Sequence, residues 1–204
     1  MSTRPAEALV PAAEPDGRVD PRVVRTRATV LAATRDELAE GGFGSLCIDG
    51  VAKRSGVART TIYRHWPSVA VLAHEAFREL AEPAPDIDTG SVRDDLLTHL
   101  RWLRTALEQS EWGRLLPHVL AASHHDPELA ELHRAFGAER RRPALAAVAR
   151  AVERGELPAG LDADALVDRL AGPLFYRCLV RLQPTTDADL EALVDGALTG
   201  RAAR

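Results

Sequence analysis

The 204-residue chain carries a net charge of −4, with 46% hydrophobic, 27% charged and only 4% aromatic residues. This balance suits a chain that buries a core and is too apolar for one disordered throughout, while the length fits a small module joined to a larger one. Apolar runs such as Val69 to Ala73 fall far short of the roughly 20 residues that cross a bilayer, and the N-terminus lacks the basic region, apolar core and cleavage site of a secretory signal, so a cytoplasmic protein without a membrane partner is expected.

Alanine and leucine dominate the apolar set, which favours helix over sheet. Residues 1–20, rich in Ala, Pro and Glu without periodicity, read as a mobile tail. Asp20 and Pro21 make a good helix start, a capping carboxylate followed by a proline whose missing N–H costs nothing there. Val24, Leu31 and Leu38, with Val23 and Val30 alongside, give the first helix an apolar face that ends at Gly41 and Gly42. A second helix is expected over Cys47 to Ser55, with Ile48, Val51 and Ala52 on one face, and a third over Ala58 to Trp66, stopped by Pro67. Ser68 is placed to cap a connecting helix over residues 68–81, with Leu72, Ala73, Ala76, Phe77 and Leu80 as its buried stripe. The stretch Glu82 to Ser91, carrying Pro83, Pro85 and Gly90, reads as a hinge or boundary before a larger domain over residues 82–204.

Five more helices are expected there. They cover about Ser91 to Gln109, with Ser91 and Asp94 spaced as a capping box, then Trp112 to Ala122, Asp126 to Arg154 with a bend near Pro143, Asp162 to Leu182 with Pro173 inside, and Thr186 to Leu198. In the last of these Leu190, Leu193, Val194, Ala197 and Leu198 keep helical spacing throughout. The fold class is therefore all-α, about nine helices in two domains. Cys47 and Cys178, without a CxxC pairing, read as two buried reduced thiols.

Residues 21–67 hold eight basic against four acidic residues, a net +4, which leaves −8 for the remainder. A basic head on an acidic body is what a chain needs if only the head meets a polyanion. Within the head, a short helix, a tight turn at Ser55, Gly56 and Val57, and a second short helix make a helix-turn-helix pattern over residues 21–67. Ile48, Val51, Ala52, Val57, Ile62 and Tyr63 have the spacing to lock the two helices together, leaving Arg59, Thr60, Thr61, Arg64 and His65 to face outward. Arginine grips guanine edges with paired N–H groups and threonine offers a hydroxyl or a methyl to a base. Tyr63, His65 and Lys53 suit phosphate contacts that set register, and Arg22 and Arg25 suit flanking phosphates or the minor groove.

Gly42, Phe43, Val51, Ala52, Gly56, Val57, Thr61, Ile62, Tyr63, Trp66, Pro67 and Ser68 together resemble the DNA-binding domain of the TetR family, and the run TIYRHWPS is similar to the TIYRRWPS of one branch. Three positions depart from the family pattern: Ala58 where a serine usually caps the recognition helix, Val69 where a lysine usually touches phosphate, and Cys47 where Ser or Thr usually caps the second helix. The run AGPLFYRCLV at Ala171 to Val180 is similar to AGPLYYRLLV of the same branch. The resemblance implies a homodimer formed through the last two helices, for which Gly172, Leu174, Cys178, Leu190, Leu193, Val194 and Ala197 supply small and apolar surface. It also implies a pocket for an apolar small-molecule effector in the central domain. Its bulky or titratable candidates are Trp102, Trp112, His118, Phe136, Phe175 and Tyr176.

These observations lead to a ligand-responsive transcriptional regulator, a repressor by family expectation, reading a palindromic operator in double-stranded DNA. A helical enzyme finds no support, since no Ser-His-Asp elbow, P-loop, GxGxxG, HExxH or CxxC is present. A helical interaction protein that has lost DNA binding is the alternative that Ala58 and Val69 keep open. No cofactor is expected, and His124 and His125 beside Asp126 read as a solvated capping loop rather than a metal site.

Overall fold

The computed structural model describes residues 20–199; the tail expected over residues 1–20 lies outside them except for Asp20. Nine α-helices and no strand occur among the described residues. The chain divides into two compact units between Ala76 and Phe77.

In the N-terminal unit, α1 (Pro21–Gly41) begins where Asp20 accepts the Arg22 N–H at 2.7 Å. Its inward face is Val30, Leu31, Ala33, Thr34 and Leu38. Val24, counted in the apolar stripe from its heptad spacing, is 52% exposed, so the buried part of the stripe starts one turn later. A 3-10 turn, Phe43–Ser45, was not foreseen; it turns the chain so that Leu46 enters the core. Helix α2 (Ile48–Ser55) ends at Gly56, whose φ of 70° and ψ of 9° are left-handed and suit a residue without Cβ. Helix α3 (Arg59–His65) stops at Trp66, which Pro67 holds in extended geometry. Ser68 Oγ then accepts the Val71 N–H at 3.1 Å and opens α4 (Val69–Arg78).

Two polar knots fasten this unit. Arg54 on α2 reaches Glu37 at 3.0 Å and Glu40 at 2.5 Å on α1. Glu75 on α4 accepts the Trp66 indole N–H at 2.9 Å and also pairs with Arg27 of α1. Beneath them Leu31, Leu38, Val51, Ile62 and Leu72 are fully excluded from solvent, each aliphatic side chain contributing about 1.5–3 kcal/mol of burial.

The C-terminal unit holds α5 (Val92–Gln109), α6 (Glu111–Ser123), α7 (Pro127–Glu153), α8 (Ala163–Phe175) and α9 (Asp187–Thr199). The stretch 82–91, expected as a hinge, is pinned instead: Arg150 donates to Ile87 O at 2.5 Å, and Asp95, 1% exposed, accepts both the Thr89 N–H and hydroxyl at 2.7 Å. The division between units falls ahead of it, inside α4. Ser91 caps α5 through the Asp94 N–H at 3.4 Å, but the reciprocal half of the expected capping box is replaced, since the Ser91 N–H donates to Thr89 Oγ1. Pro143 lies within a continuous α7 and Pro117 within α6.

The helix expected from Asp162 through Leu182 is interrupted. After Phe175 the backbone widens into a π-helical segment, Tyr176–Arg181, and closes at Leu182, whose φ of 52° is left-handed. Leu182 is 81% exposed. Both cysteines are free, yet Cys47 is exposed rather than buried, because as the N-cap of α2 it turns its thiol outward to accept the Gly50 N–H at 3.4 Å. The sulfur thus takes the place of the usual hydroxyl cap.

Candidate DNA interface and ligand site

In the N-terminal unit the turn at Gly56 carries the chain from α2 into α3, and Ile62, fully buried, anchors α3 from beneath. This sets Arg59, Thr60, Tyr63 and Arg64 on the exposed side, with Lys53 of α2 exposed nearby in sequence. Tyr63 does not lock the helices as its hydrophobicity suggested; it is 55% exposed and presents its ring and hydroxyl to solvent. Thr61 and His65, expected to face outward, are half-buried. His65 sits edge-on to Trp66 at 5.7 Å, and burial, with Arg64 and Arg27, pushes its pKa below the ordinary 6.5. Arg22 and Arg25 are exposed on the first turn of α1.

One partner escaped sequence reasoning. Asp49 on α2 accepts from Arg59 Nη1 at 2.6 Å, both side chains being more than 60% exposed. The ten-residue separation, with a turn between, gave no signal for this pair. Asp49 therefore fixes the direction of Arg59 and sets a negative charge beside the exposed side of α3. Helix α3 starts at Ala58 without a side-chain cap.

The C-terminal unit gathers three of the six ligand candidates. The guanidinium carbon of Arg140 lies 4.7 Å from the Trp102 ring centroid, 4.9 Å from Trp112 and 5.2 Å from Phe136. Phe77 stacks on Trp112 at 5.4 Å and meets Phe136 edge-on at 5.8 Å. His99, 5.2 Å from Trp102, and His133, 6.0 Å from Phe77, complete the group. Burial, aided by Arg140, lowers His99 to about 4; burial lowers His133 and the Arg140 guanidinium as well. Arg140, His99 and His133 were missed, although His133, Phe136 and Arg140 share one helix face by their spacing of three and four.

The remaining candidates lie elsewhere. His118 and Phe175 are half-buried outside the ring cluster, and Tyr176 is 56% exposed. A separate open groove of about 500 Å³ runs past Leu107, Pro117, Cys178 and Leu182. Of the residues expected at a dimer interface, Leu174, Leu190 and Val194 are at most 1% exposed within the single chain, so their side chains serve its own core. Gly172 is exposed, and Cys178, Leu193 and Ala197 are half-buried.

A helix-turn-helix with an exposed, arginine-bearing second helix, attached to a larger helical unit, defines a DNA-binding regulator. Residues 30–76 match the family described as bacterial regulatory proteins, tetR family, and residues 86–197 match the tetracyclin repressor-like C-terminal domain. The HTH-type transcriptional regulator YdeS of Bacillus subtilis is 33% identical over 88% of this chain and 91% of its own length. The HTH-type transcriptional regulator AqdR of Rhodococcus erythropolis is 32% identical over 76% of this chain and 75% of its own. Among solved structures, the TetR family transcription regulator SCO0332 is 35% identical, with a TM-score of 0.67 over 86% of this chain and 98% of that one.

The chain belongs to the TetR family. It is a DNA-binding transcriptional regulator of the ligand-responsive kind, not an enzyme. No helix among the described residues is long and apolar enough to cross a membrane.

Proposed function

We propose that the protein is a repressor that binds a palindromic operator as a homodimer and leaves it when a small, largely apolar effector occupies the C-terminal unit. Each subunit inserts α3 into a major groove, with Arg59 and Thr60 at base edges and Tyr63, Arg64 and Lys53 at phosphates. Two-fold symmetry spaces the two helices about 34–36 Å apart, one turn of duplex. The observation that carries this reading is the division of α3 into a fully buried Ile62 and an exposed opposite side bearing Arg59, Thr60, Tyr63 and Arg64. Pairing of subunits through the α8–α9 region finds support in exposed apolar surface at Tyr176, Val180 and Leu182, flanked by Gly172, Cys178, Leu193 and Ala197. Effector and DNA affinities are then coupled reciprocally.

The test is titration of palindromic duplexes from the region upstream of the protein's own coding sequence. Arg59→Ala and Tyr63→Ala are each expected to weaken operator binding roughly 10- to 100-fold. Unchanged affinity in both variants would overturn the assignment of α3 as the reading head.

A further inference from the structure

We propose that the Arg140 cluster is an anion subsite within the effector site of the C-terminal unit, and that the effector is an organic carboxylate with a flat apolar body. The proposal rests on reading this unit as the effector-binding domain and adds the chemical class of what it binds. Arg140 is half-buried among three aromatic rings, yet among the described residues no carboxylate lies within ion-pair distance of it, Glu139 acting on it only from farther away; its one hydrogen bond is from Nη1 to the Glu82 carbonyl at 2.8 Å. Its Nη2 is buried with no hydrogen-bond partner. So are Trp112 Nε1, His99 Nδ1 and His133 Nδ1. The other arginines that hold the C-terminal unit together illustrate the contrast: Arg93, Arg104 and Arg141 each meet an aspartate.

A half-buried cation with an idle guanidinium N–H, and an idle indole N–H beside it, are costly unless an acceptor completes them. The donors include a guanidinium, whose planar fork matches two carboxylate oxygens. One guanidinium without lysines among aromatic faces suits a monoanion, since a phosphate dianion would have to shed more hydration than a single cation returns. The same nitrogen-rich, positively charged set offers no anionic ligands to a hard metal ion. The half-buried Trp102 ring beside the guanidinium gives the apolar body its contact.

The experiment titrates the full-length protein with 2-naphthoate and, separately, with the neutral 2-naphthamide, following the Trp112 indole and Arg140 side-chain N–H resonances. The expected result is a saturable shift of both signals with the carboxylate and at least tenfold weaker binding of the amide. Arg140→Lys, which keeps the charge and loses the fork, is expected to weaken the carboxylate at least fivefold and leave the amide unchanged. Equal binding of acid and amide, no saturable shift with the acid, or an unaltered Arg140→Lys titration would each overturn the subsite. Operator release by 2-naphthoate is read in parallel. Carboxylate binding at Arg140 without release of DNA would leave the anion subsite standing and refute its role as effector site.

Discussion

Ala58 stands at the N-cap of α3, the proposed reading helix, without a side-chain cap, and Ala58→Ser tests how much that omission matters. Its backbone, φ −59° and ψ 138°, is already in the extended geometry of an N-cap, and Ala58 is exposed, so a hydroxyl enters without displacing anything. The Ala58 carbonyl already accepts from Thr61 N at 2.9 Å and Ile62 N at 3.2 Å; the new Oγ is positioned to accept from the N–H of Thr60 or Thr61, the second and third residues of α3. Ser is preferred over Ala at such a cap by about 1 kcal/mol, a factor of about five in the local opening equilibrium. In a helix of seven residues that one bond is a large fraction of what holds the first turn. Hydrogen exchange of the α3 amides from Thr61 to His65 is expected to slow about fivefold, while Ala58→Val, which offers no acceptor, leaves it unslowed. Operator affinity should rise in the same direction, because less ordering remains to be done on binding. Exchange that is unchanged or faster in Ala58→Ser would refute the view that this helix is under-capped.

Asp49→Asn removes the charge that holds Arg59 and repels phosphate. Binding to duplexes of any sequence is expected to strengthen, most at low salt, while discrimination between operator and scrambled DNA narrows; unaltered binding to scrambled DNA would count against the pair's role at the reading face. His99, held at about 4 by burial and Arg140, stays neutral in the fold at pH values where an unfolded histidine, near 6.5, takes up a proton. Stability is therefore full above pH 6.5 and declines as pH falls from there toward 4, by on the order of 3 kcal/mol at the bottom of the window, with lowered His133 acting in the same sense. Urea unfolding at pH 7.5 and 4.5 measures the decline, which His99→Gln should reduce; equal slopes in the two proteins would refute it. Leu182→Gly is expected to gain about 1 kcal/mol, because the left-handed backbone is unfavourable for a residue with Cβ and an 81% exposed side chain has little packing to lose. A loss of stability in thermal unfolding would show that the leucine is held by contacts outside the single chain.

Local chemistry made much of the molecule readable in advance. Asp20–Pro21, Ser68, Ser91 and Asp126 each supply an acceptor at a helix start, and each caps the helix it was expected to cap. Gly56 marked the corner between the two short helices, since a left-handed φ selects glycine. Periodicity also separated Ile62 from Arg59 and Arg64, the division on which the proposed DNA-reading face depends.

What periodicity could not supply was partnership across distance. An apolar spacing says which residues lie on one side of a helix, not what covers that side; hence Val24 and Tyr63 proved exposed, and Leu174, Leu190 and Val194 proved to belong to the chain's own core. The π-helical widening after Phe175 and the left-handed Leu182 leave no mark in a helical repeat. The placement of Arg140 against Trp102 on α5 and Trp112 on α6 required those helices to converge on α7. Sequence sets what a residue shares a helix with, because bonded geometry sets spacing; only packing decides which guanidinium lies among aromatic rings rather than against a carboxylate.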